Sequence, residues 1–173
     1  MVRWAVRGLV SLVILALVAI GALFLLSDRE LHRAWPIRAS SLHVTSTPER
    51  VAEGERLATV MGCRDCHGAD LTGRLFFDEP QIARIWGPNL TRLVPNYTDA
   101  QLDVLLRQGV RPNGQGVLIM PSNAFATLDD REISALIAFV RSKAPTGEAR
   151  PPPAYGLVGR IGLIIGQFAT EPA

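Results

Sequence analysis

The sequence has very little cysteine, histidine or lysine, and after its first seven residues it has no excess of either charge sign. It has 173 residues, of which two are cysteines (Cys63 and Cys66), three are histidines and one is a lysine. One cysteine pair two residues apart excludes the multi-disulfide framework of a small secreted scaffold. Arg3 and Arg7 account for the net charge of +2. Since the rest of the chain is balanced, we expect no nucleic-acid partner.

Charge is also absent from a long N-terminal run. Residues 9–26 contain no charged residue, and Ser11 is their only polar one. At about 1.5 Å per helical residue they span roughly 27 Å, close to the hydrocarbon thickness of a bilayer. Basic residues alone precede the run, which places the N-terminus in the cytoplasm. The sequence therefore predicts a membrane anchor over residues 1–26 that contacts lipid. We expect a single-pass protein of a bacterial inner membrane, with the rest of the chain in the periplasm or outside.

A cleaved secretory signal is the alternative for this segment. The apolar core of a signal peptide is usually about 7–15 residues long and ends at a small-x-small cleavage site. This run is longer and ends in Phe-Leu-Leu-Ser-Asp at 24–28. Its length favours an uncleaved anchor, and both interpretations export the rest of the chain.

The exported part divides by composition into three segments. Residues 27–47 are polar and of mixed charge, and we predict a stalk or linker. Residues 48–145 form one small domain. Residues 146–173 are a Pro-rich spacer followed by an apolar tail that only Arg160 interrupts before Phe168. The tail is expected either to pack on its own domain or to be an interfacial or partner-docking segment.

Three helices are predicted in the 48–145 domain. One begins at Thr47-Pro48, because threonine is a good N-cap and proline suits the first helical position. A second runs from Thr98 to Gln108 behind a Thr-x-x-Gln capping box. A third runs from about 128 to 143, with Thr127 as its N-cap. The connecting segments are long for structureless loops, so the domain needs another source of core.

Residues 63–67 read Cys-Arg-Asp-Cys-His. The C-x-x-C-H pattern is typical of covalent c-type haem attachment. Two thiols at this spacing reach the two vinyl groups on one edge of a haem, and the adjacent His67 binds the iron as the proximal ligand. A thioredoxin-type site would need a βαβ setting, and structural zinc would need four ligands where this motif offers three. We therefore predict one covalent haem c on Cys63 and Cys66.

The second axial ligand is predicted to be Met120. No histidine follows His67, and Met120 is the only methionine after the motif. A thioether favours ferrous iron and raises the reduction potential. The alternative is that Met120 fills space in the core, which is the commoner role of methionine. Met61, beside the attachment motif, is better interpreted as a core residue.

Four segments in this order make the sequence resemble the class I cytochromes c: Gly62–Gly68, Gly87-Pro88-Asn89-Leu90, Met120-Pro121 and the final helix through 133–140. The resemblance covers about residues 48–145 and implies an all-α cytochrome c fold. It also implies that Gly54 lets the first helix approach Phe139 closely. By the same resemblance, the Pro88 carbonyl accepts a hydrogen bond from the proximal His67, which would orient that ligand.

An iron with two protein ligands has no open position for a substrate. The chain is therefore expected to be an electron carrier and not an enzyme, exchanging single electrons with respiratory redox proteins in the same membrane. The alternative is a cytochrome subunit of a membrane dehydrogenase or oxidase complex. A ligand sensor or haem enzyme is a third possibility, which would require an open or labile iron position.

Overall fold

A computed structural model describes residues 2–168 of the chain, so the last five residues of the predicted tail lie outside it. The first element is the helix α1 (Val2–Leu31). Its apolar side chains are largely exposed, and its length and composition suit a membrane span or a signal sequence. The helix continues past the predicted end of the anchor at residue 26, because no glycine or proline interrupts residues 27–31.

Seven further helices and three short strands follow within the described residues 2–168. The helices are α2 (Pro48–Val60), α3 (Cys63–His67), α4 (Leu90–Leu93), α5 (Asp99–Gln108), α6 (Ser122–Phe125), α7 (Asp130–Arg141) and α8 (Leu157–Ile164), with a 3₁₀ turn at Val94–Asn96. The strands are β1 (Leu75–Glu79), β2 (Ala83–Trp86) and β3 (Ala154–Tyr155), which form one antiparallel sheet in that order.

The sheet corrects the prediction of an all-α domain, which holds only for the larger, helical part. Strands β1 and β2 form a hairpin inside a segment that we expected to be irregular. Both contain aromatic or β-branched residues, such as Phe77 and Ile85, that favour an extended backbone. The strands are too short for a periodic pattern to stand out, and β3 joins from beyond the predicted domain end.

The predicted starts of two helices are confirmed. The Thr47 side chain accepts a hydrogen bond from the backbone nitrogen of Arg50, and Pro48 occupies the first turn of α2. Thr98 and Gln101 form the predicted reciprocal capping box of α5. These signals act within one helical turn, so they do not depend on the rest of the fold.

The predicted N-cap of the last helix is wrong. Asp129, and not Thr127, caps α7: its carboxylate accepts hydrogen bonds from the backbone nitrogens of Arg131 and Glu132, and Glu132 completes a capping box. The Thr127 hydroxyl instead donates to the carbonyl of Ala124. A carboxylate is a stronger acceptor than a hydroxyl and is also stabilised by the helix dipole.

The centre of the domain is the crossing of α2 and α7. A β-carbon at Gly54 would overlap the carbonyl oxygen of Ala135 and lie 2.7 Å from Cβ of Phe139. The close approach that the resemblance implied is therefore present. The crossing buries a core cluster made of Leu57, Ala58, Leu71, Phe125, Ala135, Leu136 and Phe139. The attachment segment α3 follows α2 directly and lies at the edge of this cluster.

The segment between α1 and α2 lies against the domain. Arg38 exchanges two hydrogen bonds with the side chain of Gln108, at 3.0 and 2.7 Å. The Val44 nitrogen donates to the Asp99 carboxylate at 2.9 Å, and Val44 also packs on the core around Ile133. Residues predicted as a stalk therefore form a packed connection, which side-chain partners distant in sequence hold in place.

Candidate haem site

The attachment motif forms one short helical turn, α3. Gly62, with φ of 71°, reverses the chain after α2 and begins this turn. Cys63 and Cys66 are half-buried and are not joined by a disulfide, and Cys63 packs against the α2–α7 core cluster. Burial raises the pKa of Cys63 to about 11 and also raises the pKa of Cys66, so neither thiol has a lowered pKa. A redox-active C-x-x-C needs a lowered thiol pKa, so this environment argues against thioredoxin-type chemistry.

The ring of His67 is oriented by a backbone carbonyl. Its Nδ1 donates a hydrogen bond to the Pro88 oxygen at 2.9 Å. Burial lowers the pKa of His67, and the hydrogen bond to Pro88 opposes this more weakly. The imidazole is therefore favoured in its neutral form, which is the form that binds metals. With Nδ1 engaged, Nε2 is the nitrogen available to an axial ligand bond.

Gly87 brings the Pro88 carbonyl to the histidine. A β-carbon at Gly87 would overlap the Cys66 carbonyl oxygen and lie 3.2 Å from the backbone nitrogen of His67. Only glycine permits two backbones to approach this closely. The Gly-Pro-Asn segment therefore does more than form a turn: it lies directly against the attachment motif.

Met120 packs against the same core cluster as Cys63. Both side chains are partly buried, and both pack against the α2–α7 core cluster. The residue before it, Ile119, has a φ of 77°, an outlier for a β-branched side chain. Backbone strain of this kind concentrates at functional positions. Met61 also packs on this cluster, which agrees with its interpretation as a core residue.

Five residues lie in the segments that would wrap the haem, where arginine suits pairing with its propionates, and the sequence singles out none of them: Arg74, Arg84, Trp86, Arg92 and Arg111. Three of them have partners within the protein. Arg84 pairs with the Asp78 carboxylate at 2.7 Å, Arg92 donates to the Gly147 carbonyl, and Arg111 donates to the Gly116 carbonyl at 2.9 Å. The structure adds Arg150, whose guanidinium lies 5.3 Å from the Trp86 ring centroid. Arg150 lies in the Pro-rich spacer, and no feature of the sequence there indicated a contact with Trp86.

Asn89 is a second residue whose importance the sequence did not reveal. It is 3% exposed, and all of its side-chain hydrogen-bonding groups are used. Its Oδ1 accepts from the backbone and hydroxyl of Thr91 at 3.1 and 2.7 Å. Its Nδ2 donates to the carbonyls of Thr146 and Glu148 at 2.7 and 3.1 Å. The residue next to Pro88 thereby ties this segment to the chain beyond α7.

The zinc alternative gains no support from the geometry. Within residues 2–168, no group of three or more His, Cys, Asp or Glu residues is arranged to hold a metal ion. The donor set instead fits haem c: two neighbouring thiols, one neutral imidazole with its second nitrogen engaged, and one half-buried thioether.

Comparison with known proteins agrees with this donor set. The cytochrome c family model matches residues 51–144, which is more than half of the chain. The protein belongs to the cytochrome c family, and it is a c-type cytochrome with covalently bound haem c. We refer below to residues 51–144, which the family model matches, as the haem domain.

A curated relative is the fructose dehydrogenase cytochrome subunit of Gluconobacter japonicus. It is 26% identical over 128 residues, which cover 65% of this chain and 26% of the relative. The chain thus spans about a quarter of the length of the curated relative that it matches.

Proposed function

We propose that this chain is a membrane-tethered monohaem electron carrier that passes single electrons between respiratory redox proteins in one membrane. The observation that carries the proposal is the hydrogen bond of 2.9 Å from His67 to the Pro88 carbonyl, inside a domain of the cytochrome c family. That hydrogen bond holds a neutral imidazole with one nitrogen engaged, as an axial ligand requires.

Each of the site residues has a definite role in this proposal. Cys63 and Cys66 hold the cofactor through two thioether bonds, His67 is the proximal ligand, and Met120 is the second axial ligand. Pro88 orients His67. When bound, the haem supplies one-electron chemistry at an iron whose potential the axial ligands set. Two protein ligands leave no position for a substrate, so we propose a carrier and not an enzyme.

The tether in this proposal is α1. Its exposed apolar side chains would face lipid, and the basic residues Arg3 and Arg7 would keep the N-terminus in the cytoplasm. The haem domain would then lie on the periplasmic or outer side of a bacterial inner membrane. Its partners would be membrane lipid and redox proteins reached at the membrane surface.

A second candidate function is a cytochrome subunit of a membrane dehydrogenase or oxidase complex. It is favoured by the name of the curated relative, which is a cytochrome subunit. Purification of the native chain in mild detergent separates the two. Stoichiometric co-purification of a larger catalytic chain would establish the subunit, and isolation of the cytochrome alone would favour the carrier.

Optical spectra of the full-length holoprotein test the site. We expect the haem to stay on the denatured chain, and the native ferric form to show a Met-to-iron charge-transfer band. Met120→Ala should remove this band and allow the ferrous protein to bind carbon monoxide. Met61→Leu is the matched control, because Met61 packs on the same cluster, and it should keep the band. Rapid carbon monoxide binding by the unaltered protein would overturn the carrier and support a sensor or haem enzyme.

A further inference from the structure

The tail helix α8 packs against the end of α1. Arg160 of α8 donates to the Ser27 hydroxyl at 2.8 Å, and its guanidinium lies 4.4 Å from the ring centroid of Phe24. Ser27 is the one buried residue of α1, among those the structure describes. Helix α8 therefore covers the point at which α1 changes from apolar to polar.

The same helix is bonded to the haem domain. The backbone nitrogens of Gly156 and Val158 donate to the carbonyls of Ile82 and Gln81, at 2.9 and 3.0 Å. Strand β3, which immediately precedes α8, pairs with β2 of the haem domain. Helix α8 thus connects the end of α1 to the haem domain by contacts with both.

The remaining face of α8 is apolar and exposed. The side chains of this face, which include that of the C-cap Ile165, are between 38% and 64% exposed and recur at helical spacing: Leu157, Val158, Ile161, Ile164 and Ile165. The one charged residue of the helix, Arg160, turns inward to α1. A surface helix that faced water would present polar residues on this side. In α8 the exposed side is apolar and the charged residue faces the protein, which is the reverse of that arrangement.

We propose that this face of α8 lies in the interfacial layer of the bilayer, beside the point where α1 leaves the hydrocarbon. The inference rests on the proposed membrane span of α1. Continuity identifies lipid as the occupant: α8 contacts Phe24, and the adjacent Leu25 and Leu26 are 75% and 50% exposed on α1. An interfacial helix buries its apolar face by about 5–10 Å at the headgroup boundary. The Arg160–Ser27 contact places α8 at this depth, because Ser27 lies where the apolar run of α1 ends.

A second membrane contact changes what the tether does. A single helix with a loose stalk would let the haem domain rotate freely over the membrane. Here α8 is fixed to α1 on one side and to β2 on the other, and residues 32–47 also pack on the domain. The haem domain is therefore held in one orientation to the bilayer, so partners approach the cofactor from a restricted set of directions.

Site-directed spin labelling of the full-length holoprotein in phosphatidylcholine vesicles tests this proposal. Cys63 and Cys66 are the only cysteines in the sequence, so haem attachment leaves an introduced cysteine as the only reactive thiol. The test positions are Ile161→Cys and Ile165→Cys. Leu17→Cys reports on the span of α1, and the exposed Ala52→Cys of α2 reports on water. With the haem reduced, each label is scored for collisions with oxygen and with a water-soluble nickel chelate.

We expect the ratio of oxygen to nickel collisions at Ile161 and Ile165 to be several-fold above that at Ala52 and below that at Leu17. Values at both positions equal to that at Ala52, with Leu17 still protected from nickel, would overturn the interfacial placement and leave the anchor intact. Protection from both reagents would overturn it in favour of a protein partner. A water-exposed Leu17 would overturn the membrane span and, with it, this inference.

Discussion

The carbonyl oxygen of Pro88 accepts a hydrogen bond of 2.9 Å from Nδ1 of His67, across 21 residues of sequence. It links the attachment motif to a segment that Gly87 brings against the Cys66 backbone. A carbonyl acceptor increases the basicity of a ligand imidazole, which favours ferric over ferrous iron. The geometry of the Pro88 segment should therefore be visible in the reduction potential.

Pro88→Ala removes the ring that fixes the backbone at this carbonyl and loosens its contact with His67. We expect the midpoint potential to rise by roughly 20–60 mV, since a tenfold change in relative stabilisation is about 59 mV for one electron. Pro95→Ala, at the exposed proline of the 3₁₀ turn, is the control. Potentiometric titration of the holoproteins makes the comparison. Equal potentials in the two variants would count against a role of Pro88 in orienting His67.

Gly54→Ala tests the crossing of α2 and α7. The added methyl group would overlap the Ala135 carbonyl, so the helices must separate, at a cost of about 1–3 kcal/mol or more. Glu53→Ala, one position earlier and exposed, should change the free energy of unfolding by less than about 0.5 kcal/mol. Denaturant unfolding followed at the haem absorption compares the two. Similar stabilities would show that the crossing relaxes without cost.

Ile119→Gly tests the strain beside Met120. The φ of 77° disfavours a β-branched residue by about 1–2 kcal/mol, a cost that glycine avoids. We expect Ile119→Gly to be no less stable than the unaltered protein and to keep its ferric charge-transfer band. Ile37 is similarly exposed, 43% against 47%, but has an ordinary φ, so Ile37→Gly should lose stability. A larger loss of stability for Ile119→Gly than for Ile37→Gly would contradict the claim that the backbone at Ile119 is strained.

Asn89→Asp tests the hydrogen bonds by which Asn89, next to Pro88, holds this segment against the chain beyond α7. It replaces the Nδ2 donor with an acceptor that faces the carbonyls of Thr146 and Glu148. Leaving buried polar groups unpaired costs about 1–3 kcal/mol. Asn96→Asp is the control, since its side chain makes a single exposed hydrogen bond to the Arg92 carbonyl. Thermal unfolding should show a clear loss of stability for Asn89→Asp alone. Equal losses in the two variants would mean that the hydrogen bonds of Asn89 contribute little to stability.

The functional class of this protein followed from the sequence because the chemistry of attachment is local. Cys63, Cys66 and His67 lie within five residues, and the C-x-x-C-H pattern typical of c-type haem attachment can be identified without knowledge of the fold. The N-caps Thr47 and Thr98 were predicted for the same reason, since a cap bonds backbone nitrogens within one turn. Where Thr127 and Asp129 competed for one helix start, the stronger acceptor capped it.

Tertiary structure decided what depends on partners far apart in the chain. The hairpin was missed because β1 and β2 are too short to show a period, and β3 joins them from beyond the expected domain end. The two hydrogen bonds from Asn89 across the domain, and the contact of Arg160 with Ser27, left no sequence signal. A buried hydrogen bond requires only complementary groups at the right distance, and folding alone brings them there.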